Sequence, residues 1–196
     1  MIRVQVTERL IVEATEFMNE GRGHSQSRYW TNSTDQNRLV GALGEIALID
    51  YCWSNNLLAY KREGRSSDVQ LHSGHTIEVK TQKGSTPPQL NYRVNFAACD
   101  RQTESSDFMF FTRVQFVAEK PECVWLLGGC SWDKFWRLAD HHKVGDPMMQ
   151  FHENGDTSPS GRYFSKECYN LSISQLAPPS ASLKHFKSLQ QKEEAQ

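Results

Sequence analysis

Asp68-Val69-Gln70-Leu71-His72-Ser73-Gly74-His75-Thr76-Ile77-Glu78-Val79-Lys80-Thr81-Gln82 holds two short β-type runs, Asp68 to Leu71 and Thr76 to Gln82, on either side of a turn containing Ser73-Gly74. Successive side chains on a strand point to opposite faces, so Thr76, Glu78, Lys80 and Gln82 share one face, leaving Ile77 and Val79 to pack into a core. Register decides whether Asp68 joins them. A two-residue loop would set Asp68 opposite Val79, pointing away from Glu78. A three-residue loop over His72, Ser73 and Gly74, with Gly74 in the left-handed region, sets Asp68 opposite Glu78, and that loop is the expectation. Two acids and a lysine, the latter roughly 7 Å along the strand from Glu78, can then hold a hard cation and a water. Glu-x-Lys alone is weak, since roughly one is expected by chance in a chain of this size, and its bland reading is an exposed ion pair. The hairpin and the segment upstream give it weight.

That upstream segment, Asp35 to Trp53, places apolar residues at 39, 42, 43, 46, 49 and 53, which is helical spacing. Thr34 or Asp35 caps its start and Ser54-Asn55-Asn56 ends it. Glu45 falls at the edge of the apolar stripe, with Asp50 as a rival candidate nearer its middle. Gly41 and Gly44 each cost about 1 kcal/mol of helix stability, a cost that makes sense if the helix backbone comes close to a sheet.

Taken together, Gly44-Glu45, Asp68 and Glu78-Val79-Lys80 resemble the PD-(D/E)xK nuclease superfamily, the restriction-endonuclease-like fold. The resemblance covers about residues 35–129. It implies an α/β fold with a mixed β-sheet flanked by helices in the order αβββαβ; length and composition add the expectation of one nuclease domain over 1–180, with a C-terminal extension over 131–180, and a charged tail over 181–196. It implies phosphodiester hydrolysis with Mg²⁺, for which Mn²⁺ would substitute. Carried over by position, Asp68, Glu78, Glu45 and the Val79 carbonyl are metal ligands, and Lys80 orients or activates the attacking water. Ser67 stands where the superfamily's name places Pro. Gln89-Leu90-Asn91-Tyr92 has the wrong spacing for the Gln-x-x-x-Tyr signature of exonuclease branches. A restriction or homing type of endonuclease is therefore expected, with a Holliday-junction resolvase, a repair-type nicking enzyme or an inactive DNA-binding accessory protein as alternatives. An unrelated α/β protein with a surface Glu–Lys pair is the remaining reading.

The chemistry stands on its own terms. Hydrolysing a phosphodiester needs a placed nucleophile and neutralised phosphoryl oxygens, and Mg²⁺ usually binds through one or two carboxylates plus waters and substrate phosphate. A lysine beside it acts as base only if burial or the cation depresses its pKa.

The net charge of −1 does not advertise a nucleic-acid protein, but a local basic track suffices. Lys61, Arg62, Arg65, Gln82, Lys83, Gln89, Asn91, Tyr92 and Arg93 flank the acids and are the expected DNA contacts. DNA is thus the expected partner, with a homodimer if both strands are cut. No apolar run approaches a membrane span and the first residues lack a signal-peptide core, so a cytoplasmic protein is expected. Five cysteines at 52, 99, 123, 130 and 168 follow no disulfide or zinc spacing.

Further elements are expected as a helix over 7–19, a strand within 57–62, strands over 107–118 and 124–127, and a short helix from Ser131 with Trp132, Phe135 and Trp136 in the core. Residues 140–161 read as a long surface loop, 170–174 as a strand, and 182–196 as a short helix or disordered tail.

Overall fold

The structure, a computed structural model, describes residues 1–19, 35–62, 68–98, 106–151 and 157–194. Its chain order is β1 (Ile2–Gln5), α1 (Glu8–Asn19), α2 (Asp35–Ser54), β2 (Ala59–Lys61), β3 (Val69–Leu71), β4 (Thr76–Gly84), β5 (Arg93–Ala97), β6 (Phe108–Val117) and β7 (Lys120–Ser131). There follow α3 (Trp132–Leu138), β8 (Asp140–His142), β9 (Pro147–Phe151), β10 (Thr157–Tyr163), β11 (Cys168–Ser172) and α4 (Pro179–Glu194). Six strands make the main sheet in the order β1-β7-β6-β4-β3-β2, in which only β4 and β6 run parallel. A three-stranded sheet, β5-β11-β8, and a hairpin, β9-β10, come from the second half of the chain and from the β4–β6 connection.

The coarse expectation of a mixed α/β protein with a mixed sheet holds. The αβββαβ order does not hold as written. Among the described residues the connection from β4 to β6 contains β5 and no α-helix, because Val94 and Phe96 alternate into an apolar cluster as a strand does; residues 99–105 lie outside the described set. The hairpin register is the expected one. Val69 pairs with Ile77 and Gln70 with Thr76, the Leu71 amide bonds the His75 carbonyl, and Gly74 takes φ +75. Continued one step, that register sets Asp68 opposite Glu78.

Helix α2 lies on the Ile77–Val79 face of the sheet, in a core with Phe110, Val114, Leu183 and Phe186. Its buried stripe is Val40, Ala42, Leu43, Gly44, Ala47, Leu48 and Cys52, while Trp53 is exposed. The helix is thus turned about one position from the expected phase. Gly44 sets this. A Cβ there would meet Thr81 Oγ1 at 2.0 Å and Thr112 Oγ1 at 2.4 Å, so only glycine admits the helix backbone this close to β4 and β6. At Gly41 the same test finds open space, so the close approach belongs to one of the two glycines.

The opposite face of the sheet is closed by Phe96, Phe135, Leu171 and Ile173 with Met109 and Phe111. Helix α3 is capped by the Ser131 hydroxyl as expected, and Trp132 and Trp136 pack at this cluster. Two expectations fail here. Residues 140–161 contain β8, β9 and the start of β10: short strands held by pairing with β11 and with each other, in a stretch whose Gly, Asp, Ser and Pro content reads as loop. The boundary at 180/181 falls inside α4, whose Leu183 and Phe186 are buried, with Phe186 against Phe108. The segment expected as a tail is part of the core. Cys52, Cys123, Cys130 and Cys168 are buried and free.

Candidate active site

Strand β3 stops pairing with β4 after Ile77, leaving the β4 edge open from Glu78 onward. The backbone group orphaned there is taken up by a side chain: the Val79 amide donates to Asp68 Oδ2 at 2.8 Å. Asp68 is held from its own backbone as well, its amide donating to the Ile77 carbonyl and its carbonyl accepting from Arg62. The residue is therefore fixed at the point where the two strands part, and its carboxylate keeps a second oxygen beyond the one bonded to Val79.

Glu78 is buried, at 4% exposure, on the face of β4 that carries Lys80 and Gln82. Its Oε1 is 2.8 Å from Lys80 Nζ. Lys80 in turn lies 4.7 Å from the Phe96 ring centroid, which limits the water around the ammonium group. Glu45, on the turn of α2 fixed by Gly44, is near enough to respond to Glu78, Lys61 and Lys80. Burial, and then the Glu78 carboxylate, push its pKa up to about 8, against the pull of the two lysines. Asp68 is likewise raised, by burial and by Glu45 and Glu78, while Lys80 and the Val79 amide oppose the rise. Burial and neighbouring carboxylate charge thus both disfavour the ionised forms of Glu45 and Asp68. Asp50 is drawn elsewhere, pairing with Arg9 on α1.

Among the described residues no group of three or more His, Cys, Asp and Glu side chains converges into a metal-holding cluster. Asp68 and Glu78 nevertheless supply a hard-oxygen set of the kind Mg²⁺ takes through one or two carboxylates. The mutual repulsion of the three acids is what a divalent cation relieves, so the residues fit such an ion. Val79, whose carbonyl is the further expected ligand, sends its amide to Asp68 Oδ2, and on a strand the carbonyl of a residue points to the same side as its amide.

The expected DNA contacts divide. Gln82, Lys83, Gln89, Asn91, Tyr92 and Arg93 all line one groove of about 1050 Å³, whose other wall includes Asp140, His142 and Pro147 to Met149. Within it Arg93 pairs with Asp140, and Gln82 Nε2 donates to the Arg93 carbonyl at 3.1 Å. Lys83 sends its ammonium group to Gln36 Oε1, 2.8 Å away, with Glu119 at 3.9 Å. Lys61 Nζ sits 3.3 Å from the Phe17 ring centroid, against α1, and Arg62 is half-buried beside it. Arg65 lies outside the described residues. Missed from the sequence were Asn95, Arg113, His142 and Asn170, which also line the groove. The signal for Arg113 was the one charged residue inside the mostly apolar run Phe108–Val117; nothing local marked the others. No family model matches this chain, and no curated protein matches it.

Proposed function

We propose that the protein is a Mg²⁺-dependent endodeoxyribonuclease of the site-specific kind. The observation that carries this reading is the placement of Asp68, bonded to the Val79 amide, and of Glu78, paired with Lys80, at the open edge of β4 beside the parallel β4–β6 pair, with Glu45 close enough to feel the Glu78 charge. Asp68 and Glu78 would hold the cation, which supplies charge neutralisation at the phosphoryl oxygens and an acidified water. Lys80, bonded to Glu78, is placed to orient the attacking water. Glu45 acts one step further out, setting the charge of the pair. The restriction-endonuclease-like core is part of the same proposal, supported by the antiparallel β2-β3-β4 meander followed by parallel β6. Among the described residues no helix is long and apolar enough to cross a membrane. A homodimer is proposed only for double-strand cleavage, where one site per chain requires two chains.

The test is cleavage of supercoiled plasmid DNA by the purified protein in Mg²⁺, with EDTA as control and Mn²⁺ as a third arm. Nicked or linear product is expected in both metals and not in EDTA. Asp68→Ala and Glu78→Ala should each abolish it while circular dichroism stays unchanged. Undiminished cleavage in either variant overturns the assignment.

A further inference from the structure

The groove beside the acids is lined differently from the acids themselves. The three-stranded sheet turns Val94, Phe96 and Leu171 into the core, so the alternate residues face the other way. These form cross-strand rows: Asn95 opposite Asn170, with Asp140 beyond it, and Ala97 opposite Cys168, with His142 beyond it. Across the groove, the parallel register sets Gln82 beside Arg113. The groove lining therefore includes the amides of Gln82, Gln89, Asn91, Asn95 and Asn170 together with the cations Lys83, Arg93 and Arg113.

Arg113 is the built part of this surface. Its guanidinium lies flat over Gly84, where a Cβ would come within 2.1 Å of a terminal nitrogen and 2.3 Å of Cζ. Tyr92 stands on it, with Cζ 5.2 Å from the ring centroid. Half-buried in this slot, the group has no carboxylate partner among the described residues, and its buried Nε meets no acceptor there. Burial lowers its pKa, as expected for a cation taken from water without a counter-charge. His142 Nε2, across the groove, is also buried without a partner among the described residues, its ring stacked on Phe164 at 4.3 Å.

We propose that this groove reads base edges of duplex DNA, with Arg113 recognising a guanine and the amides of Asn95 and Gln82 forming the rest of the reading surface. The identity of the polymer rests on the nuclease reading above; the base selectivity does not. Of the other cations lining the groove, Arg93 is paired with Asp140 and Lys83 bonds Gln36, whereas the amides carry no charge and offer paired donors and acceptors. Arginine to guanine and asparagine or glutamine to adenine are the bidentate pairings that major-groove edges allow. The C-terminal extension thereby gains a function, since β8, β9 and β11 supply one wall of the reader. Its distance from the chemistry follows from the strand. Gln82 and its neighbour Arg113 lie two residues beyond Lys80 and four beyond Glu78 on one face, roughly 7 and 13 Å. At about 3.4 Å per nucleotide, the recognised guanine should lie about two to four base pairs from the cut.

Binding selection from a pool of random duplexes, in EDTA so that no cleavage occurs, tests this with the full chain as wild type, Arg113→Lys and Asn95→Ala. Mg²⁺ cleavage of mixed-sequence DNA is run separately. The wild type should enrich a motif containing guanine, and Arg113→Lys, which keeps the charge but loses the fork, should lower preference at that position roughly tenfold or more. Asn95 is exposed, so its alanine variant should fold and relax a neighbouring position. An unchanged motif in a folded Arg113→Lys overturns the proposal and leaves the nuclease reading standing, as does cleavage with no motif enriched. Enrichment without cleavage overturns the nuclease reading and leaves the reader standing. Absence of any DNA binding overturns the reader.

Discussion

The acid site and the groove lie along the same face of β4, yet they are built in different ways. The acid site is a compact set of charges in which every member answers to another: Lys80 bonds Glu78, and Glu45 and Asp68 are both shifted by Glu78. The groove mixes amides with Lys83, Arg93 and Arg113 over strands from three parts of the chain, and of its two arginines Arg93 is paired with Asp140 while Arg113 has no carboxylate partner among the described residues. The contrast separates two tasks. Tightly coupled charges suit a reaction whose transition state is charged; uncharged, geometrically fixed donors and acceptors suit discrimination among ligands of equal charge. It follows that variants of the first region should change rate without changing sequence choice, and variants of the second the reverse.

The largest expected effect is at Lys80. Lys80→Gln keeps a hydrogen-bonding group on a side chain one atom shorter but removes the charge beside Glu78. Single-turnover cleavage should slow by roughly 10²–10⁴-fold, while the enriched motif and the affinity in EDTA stay within about twofold of wild type. A slow variant with a changed motif would break the division between the regions, and a variant as fast as wild type would remove Lys80 from the chemistry.

The same division explains what was legible in the sequence. The acid site was readable because a hairpin and one helix bring its members together. Alternation placed Glu78, Lys80 and Gln82 on one face, and the three-residue loop at Gly74 set Asp68 opposite Glu78. The helix phase was off by about one position because the tightest contact is at Gly44, which has no side chain to register as apolar. The groove was half legible. Gln82, Lys83 and residues 89–93 stood near the acids in sequence, but Asn95, Arg113, His142 and Asn170 meet only through the β5-β11-β8 pairing, which no local pattern announces. The strands within 140–161 were hidden for a related reason: β8 is formed by pairing with the distant β11, which no local pattern announces.

An intermediate effect is expected from pH. Glu45 has its pKa raised from an ordinary 4.5 to about 8, and Asp68 is raised in the same sense. The folded state therefore holds protons that the unfolded chain has released, so metal-free stability should fall as pH rises from about 4.5 to about 8. Glu45→Gln, neutral throughout, should flatten that fall and raise the melting temperature at pH 8 by a few degrees, at roughly 2–4 °C per kcal/mol. Mg²⁺ should stabilise the wild type most at the alkaline end, where the carboxylates it needs are free. Thermal melts from pH 5 to 9, with EDTA or Mg²⁺, check this. Wild-type stability that climbs over this range in EDTA, in parallel with Glu45→Gln, would dissolve the coupling on which the acid site rests.

The smallest effect is expected at Lys83, which touches both regions and belongs wholly to neither. It lines the groove, yet its ammonium group already bonds Gln36 and lies near Glu119. Glu119 is exposed, so that pair is weak and solvent-screened and leaves Lys83 available to a phosphate. Any such contact adds about one unit to the slope of log affinity against log salt. Lys83→Ala should therefore reduce the slope by about one unit at most, weaken binding equally on all duplexes, and leave the enriched motif as it was. Titrations at several salt concentrations on a matched and an unmatched duplex measure both quantities. An unchanged slope would move the phosphate track off this side of β4, toward Lys61 and Arg62; a changed motif would make Lys83 part of the reader and shift the border between the two regions by one residue.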